Sequence, residues 1–178
     1  MPEIRKVAVI GAGPLGRRLA WTVARAGYSV VLEDVMPSNL RHAQELAAAA
    51  GEGSTVTYAT SVEDAVREAD LAFDCVPDEL ESKLEIFCLM DRMAPPRTIL
   101  LTPTTAQSIA DLASCTYRAE QCAALTLKNI FLGDVEIPQE LELVFTPQTN
   151  DATRTELRRF LSSLGRTVRE REDTAFKH

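Results

Sequence analysis

Three glycines, Gly11, Gly13 and Gly16, fall within six positions of a 178-residue chain that holds only eight. Before them runs Lys6-Val7-Ala8-Val9-Ile10, a continuous apolar stretch rich in β-branched residues, as expected of a strand buried on both faces of a parallel sheet. After them Leu15, Leu19, Ala20, Val23 and Ala26 recur at helical spacing, which predicts a helix over 15–26 with one packed face, ended by Gly27. A strand, a glycine turn and a helix in direct succession constrain the fold more than any other feature of the chain.

The alternation continues. The pattern predicts a strand over 29–33, a helix over 39–50, a strand over 55–58, a short helix from Val62, a strand over 71–76, a helix over 80–93 and a strand over 98–101. A helical turn near Ile109 follows, then strands over 123–127 and 141–145, a helix over 152–164 and a last strand near Thr167. Repeated β-α-β units point to the α/β class: a doubly wound, mostly parallel sheet, the Rossmann fold. The length suits a single domain over residues 1–178, with no repeat or linker. The polar segment from Arg166 is fit for no more than an edge strand.

Composition excludes several functions. A net charge of −7 with scattered arginines argues against a nucleic-acid partner. No apolar run approaches the ~18 residues of a membrane span, and the early first strand leaves no room for a signal peptide. Cys75, Cys88, Cys115 and Cys122 form no C-x-x-C pair, so no metal site is expected, and they read as reduced, mostly buried thiols of a cytoplasmic protein. Tyr58 and Tyr117 read as packing or surface residues.

Gly11-Ala12-Gly13-Pro14-Leu15-Gly16 is a G-x-G-x-x-G set between a strand and a helix, the context that makes this motif informative. Gly11 suits the tight turn, Gly13 lets the backbone approach a pyrophosphate, and Gly16 lets the helix pack closely. Pro14, with Leu15 beside it at the helix start, gives up an N–H that would lack a partner anyway. The positive helix end then faces the phosphates. Asp34 follows Gly16 by 18 positions, where a carboxylate accepts from ribose hydroxyls and repels a 2′-phosphate. NAD is therefore expected as cofactor rather than NADP. Arg17 and Arg18, just inside the helix, read as solvated or phosphate-proximal.

The segment KVAVIGAGPLGRRLAWTVARAGYSVVLED resembles the opening of the 3-hydroxyacyl-CoA dehydrogenases. ADLAFDCVPDELESKLEIFCLMDRMAPPRTILLTPTT is similar to that family's acidic strand end, long helix and T-N-T-S-S loop, and LELVFTPQT to its stretch around a catalytic glutamate. The resemblance implies hydride transfer between NAD and a 3-hydroxyacyl-CoA, with a His–Glu pair as general base. It assigns Gly11, Gly13, Gly16, Asp34, Asp78 and Lys83 to the cofactor, Lys83 near the nicotinamide. It matches Glu142 to the catalytic glutamate, Asn129 to the asparagine of H-F-F-N-P, and Thr105 to the substrate hydroxyl position.

The chain departs from the pattern at the histidine, where Thr126 stands, and threonine does not accept an alcohol proton at neutral pH. Lys128 shares the strand parity of Thr126 and is the alternative proton acceptor. Between 35 and 54 there is room for one helix only, so the arm that grips CoA is expected to be shortened. The stretch near 172–176 overlies the family's entry into a second, helical domain, which this chain is expected to lack. An apolar face around 125–132 is expected where that domain would pack, covered by a homodimer.

Two readings stay open. One is an NAD-binding oxidoreductase acting on a 3-hydroxyacyl-CoA or related hydroxy acid, in fatty acid metabolism, with weak or altered activity. The other is a non-catalytic NAD-binding sensor or assembly module that has lost its base. A small hydroxy acid handled by Lys128 and Asn129 is a weaker, third reading.

Overall fold

The computed structural model describes residues 3–52, 55–127 and 136–173. In chain order the elements are β1 (Lys6–Ile10), α1 (Pro14–Arg25), β2 (Ser29–Glu33), α2 (Pro37–Ala49), β3 (Val56–Ala59), α3 (Val62–Val66) and β4 (Leu71–Asp74). There follow α4 (Leu80–Met93), β5 (Ile99–Thr104), α5 (Ile109–Ala113), a 3-10 turn (Ala119–Gln121), β6 (Cys122–Thr126), β7 (Glu140–Phe145), α6 (Asp151–Ser163) and β8 (Thr167–Glu172). Side-chain caps start the last two helices cleanly: Ser108 accepts from the Asp111 amide and Asn150 from the Thr153 amide, as helix starts favour.

Among the described residues the strands form one eight-stranded sheet in the order β3-β2-β1-β4-β5-β6-β7-β8. The first six are parallel. β7 runs antiparallel to β6, and β8 parallel to β7. The crossover from β3 at one edge to β4 beside β1 makes a switch point, where a crevice opens beyond the carboxyl ends of the strands.

The central strands feed two cores. Val7, Val9, Val30 and Leu32 pack with Leu19 and Val23 of α1 and, further along, Leu157 and Phe160 of α6. Ala8, Ile10, Ala72 and Leu100 face Val66 of α3, Phe87 and Met90 of α4 and Leu112 of α5. Burying each large side chain contributes about 1.5–3 kcal/mol.

Two expectations are corrected. Thr102, Pro103 and Thr104, read as loop, belong to β5, which pairs Pro103 with Leu125. The β4 pairing stops at Leu101, so beyond it β5 has a neighbour on one side only, a position where a proline without N–H costs no ladder bond. Leu125 and Leu127, expected on an exposed face, are fully buried beside Leu141, Leu143 and Leu157. Residues 128–132 lie outside the described set, so no exposed face at 125–127 remains to argue for a homodimer.

β8 is the exposed edge strand its composition suggested, with only Val168 turned toward the core. Just past it, Asp173 accepts from the Ser108 hydroxyl at 2.7 Å and the Ala110 amide at 2.9 Å. That carboxylate ties the end of β8 to the start of α5.

Candidate functional site

The glycine loop is built from three different constraints. Gly11 has φ +102°, and a Cβ there would lie 2.7 Å from the Cys75 carbonyl oxygen. At Gly16 a Cβ would lie 1.7 Å from the Gly11 carbonyl oxygen, so the helix could not sit so close to the turn. Gly13 differs: a Cβ there meets nothing within 4 Å, which leaves its open side to a ligand. Gly13 also caps α1 in an extended conformation with no side-chain cap, so the first helical amides receive no acceptor from the cap residue. Arg17 serves the loop itself, donating to the Ala12 carbonyl at 3.0 Å, and burial lowers its pKa.

Asp34 anchors the same loop from the next strand. Its Oδ2 accepts from the Ala12 amide at 3.0 Å and Asn39 Nδ2 at 3.1 Å, and its Oδ1 from the Met36 amide at 2.8 Å. A carboxylate oxygen has two acceptor sites, so Oδ1 keeps one for a ligand hydroxyl. The preceding residue, Glu33, is only 4% exposed. Burial and the neighbouring Asp34 push its carboxyl up to about 7, against the pull of the Gly11 amide.

A cleft of about 1270 Å³ lies over the strand ends. It brings together Gly11, Gly13, Pro14, Leu15, Asp34, Asp78 and Thr105 of the residues singled out in the sequence. Gly16 and Lys83 do not line it, nor do Thr126 and Glu142. Every charged residue on its walls is acidic: Glu33, Asp34, Asp78, Glu79 and Glu85.

Asp78 works as a clasp between loops. Its Oδ1 accepts from Thr104 Oγ1 at 2.6 Å, and its Oδ2 from the Thr105 amide at 2.9 Å and hydroxyl at 3.2 Å. Gln107 Nε2 donates to its carbonyl at 3.0 Å. The β4–α4 loop is thereby fixed to the β5–α5 loop, and the Thr105 hydroxyl is held at the cleft wall.

Lys83 turns inward rather than toward the cleft. Its Nζ lies 3.0 Å from Thr102 Oγ1, 3.3 Å from Asp74 Oδ2 and 3.4 Å from the Asp74 carbonyl. Burial raises the Asp74 pKa, and Lys83 opposes that rise. With Asp74 and Thr102 fully buried, the three form an internal strut under the cleft.

On the far side of the sheet's carboxyl end, Thr126 of β6 pairs with Glu142 of β7. Directly opposed residues share a face, so Thr126 and Glu142, the positions the resemblance matches to a histidine and a glutamate, are neighbours here. No imidazole is there to use the carboxylate. Instead Arg171 of β8 lies with its Nε 3.4 Å from Glu142 Oε2. Lys128 and Asn129 lie outside the described residues. Tyr58 is half-buried against the core and Tyr117 is 98% exposed. Cys122 is buried, whereas Cys75, Cys88 and Cys115 are half-buried free thiols.

Glu33 is the cleft residue that sequence reasoning passed over, treating it as the last residue of a strand. Its signal was an acidic residue at a strand end where the alternation of two buried faces calls for an apolar one.

Comparison with known proteins agrees with this geometry. A family model described as the NAD binding domain of 3-hydroxyacyl-CoA dehydrogenase matches residues 6–174. The chain is 26% identical over 187 positions to a probable 3-hydroxybutyryl-CoA dehydrogenase of Bacillus subtilis, covering 96% of this chain and 63% of that protein. To the human mitochondrial hydroxyacyl-coenzyme A dehydrogenase it is 27% identical over 192 positions, covering 96% and 60%. It thus spans about three fifths of the length of these relatives. The solved 3-hydroxybutyryl-CoA dehydrogenase of Escherichia coli K12 shares the fold, with TM-score 0.87 at 23% identity, over 97% of this chain and 39% of that one.

Proposed function

Since the chain belongs to the family of NAD binding domains of 3-hydroxyacyl-CoA dehydrogenases, we propose that its cleft serves hydride transfer on a 3-hydroxyacyl-CoA or related hydroxy acid, with weak turnover. NAD is the cofactor, and when bound it takes up or returns the hydride. The observation that carries the reading is the open side of Gly13 in the same cleft as Asp34. Gly11, Gly13 and the start of α1 would hold the diphosphate, Asp34 Oδ1 a ribose hydroxyl, and Thr105 a polar group of the substrate.

The expectation of weak turnover rests on the chain's own residues. Oxidising an alcohol requires a group that removes the hydroxyl proton. The Thr126 hydroxyl lacks the basicity, and the Glu142 carboxylate beside it is engaged by Arg171. That ion pair favours the second reading as well, a domain that binds NAD without turning over. Among the described residues no helix is long and apolar enough to cross a membrane. Four free thiols suit a reducing compartment, and we place the protein in the cytoplasm.

NADH fluorescence titration tests the cofactor assignment. Asp34→Ala should weaken NADH on the order of tenfold or more and narrow the preference over NADPH, since it removes both the ribose acceptor and the repulsion of a 2′-phosphate. Equal binding of both nucleotides by both proteins would refute the role of Asp34. Acetoacetyl-CoA reduction then separates the weakly active protein from the silent one.

A further inference from the structure

We propose that Glu33 reads the base of the dinucleotide, its carboxyl donating one hydrogen bond to and accepting one from the amino edge of the purine. The inference rests on NAD occupying the cleft.

Topology supplies the direction. The glycine loop follows β1, Asp34 follows β2, and Thr60, Ser61 and Val62 follow β3, and all line the one cleft. The strands lie in the order β3-β2-β1. A dinucleotide with its diphosphate at Gly13 and a ribose at Asp34 therefore continues outward toward the end of β3, and the base comes to rest there. Glu33 pairs with Ile10 on one side and Ala59 on the other. Its side chain shares the sheet face of Val31, Ile10 and Ala59, which packs against α3. A 96% buried carboxyl thus forms part of the cleft wall where the base is expected, and among the described residues no salt bridge holds it, the Gly11 amide being the hydrogen-bond donor that pulls against its protonation.

The charges around it decide its state. Asp34 follows it directly in the chain, Glu63 and Asp64 occupy the first turn of α3, and Arg67 pairs with Asp64. Asp78, Glu79 and Glu85 line the cleft from the β4–α4 side, while Lys83 is committed to Asp74. β1 and β3 offer only Ile10 and Ala59 at this level. Among the described residues no cation pairs with Glu33, so its carboxyl is half protonated near pH 7 and mostly protonated at about pH 6. An ionised carboxylate only accepts, whereas the acid offers a donor and an acceptor side by side. The purine amino edge presents the complement, an exocyclic amine next to a ring nitrogen.

The experiment is NADH titration by fluorescence at about pH 6 and about pH 8.5, where binding through the acid form alone loses up to tenfold per unit above the pKa. Wild type should bind roughly tenfold more weakly at the higher pH. Glu33→Gln, whose amide keeps a donor and an acceptor, should bind equally at both. Glu33→Leu should also be flat but roughly tenfold weaker than the glutamine variant, the loss of two base contacts. A wild-type affinity that does not change, or a glutamine variant that keeps the wild-type change, overturns the proposal. A leucine variant as tight as the glutamine variant overturns it too, leaving only charge repulsion. Absence of NADH binding by wild type at both pH values would instead refute the cofactor reading itself.

Discussion

Thr126 and Glu142 stand directly opposite one another across the antiparallel pair β6–β7, with Arg171 rather than an imidazole on the carboxylate. These are the two positions that the resemblance matches to a general-base pair. Thr126→His should place an imidazole beside Glu142 and raise acetoacetyl-CoA reduction, followed as loss of NADH absorbance, by about a hundredfold or more, within the ~10²–10⁴ a positioned base supplies. Adding Arg171→Met frees the carboxylate and should raise it further. No gain in either variant would show that more than the base has been lost.

Two glycines of one motif should respond in opposite ways. Gly16→Ala drives a methyl into the Gly11 carbonyl and is expected to lower stability by about 1–3 kcal/mol or more, as overpacking does. Gly13→Ala meets no protein atom within 4 Å and should leave the melting temperature almost unchanged. Its NADH affinity should nevertheless fall on the order of tenfold, because the methyl enters the space the diphosphate needs. Thermal unfolding and NADH titration on both variants check the contrast.

Glu33 makes stability fall as the solution becomes more alkaline. Unfolded, its carboxyl titrates near 4.5; folded, it is raised to about 7. Between these values the folded chain binds more protons than the unfolded one, so unfolding free energy decreases with pH across that window and levels off above it. The contribution of this group should amount to about 3 kcal/mol. Urea unfolding at several pH values should show this slope in wild type and a flatter profile in Glu33→Gln. Parallel profiles would contradict the assignment.

Lys83 and Asp74 are a buried ion pair, 1% and 0% exposed. Lys83→Met leaves the Asp74 carboxylate without its cation and should cost about 3–5 kcal/mol, whereas the double variant Lys83→Met with Asp74→Leu should cost much less. Urea midpoints decide. Equal losses in the single and double variants would mean that the pair contributes through packing alone.

The glycine loop, the strand–helix alternation and Asp34 were legible in the sequence because each is imposed locally, by backbone conformation or by hydrophobic period. Pro103 was misplaced because a proline marks a loop only when both neighbouring strands need its amide, and where β4 stops pairing is a tertiary fact. Leu125 and Leu127 looked like an uncovered face because the packing of Leu157 against them arises from a helix about thirty residues later. The function of Asp78 as a clasp, and the inward turn of Lys83, depend on partners 26 and 19 positions away respectively. No period or spacing encodes such partners.

The carboxylate of Asp173, held by Ser108 and Ala110, makes the outermost strand and the threonine-lined wall share a fastening. Fraying of the sheet margin at Arg171–Glu172 would loosen the start of α5, leaving the wall at Thr105 to the Asp78 clasp alone, so disturbance at the rim of the molecule reaches the cleft without crossing the hydrophobic interior.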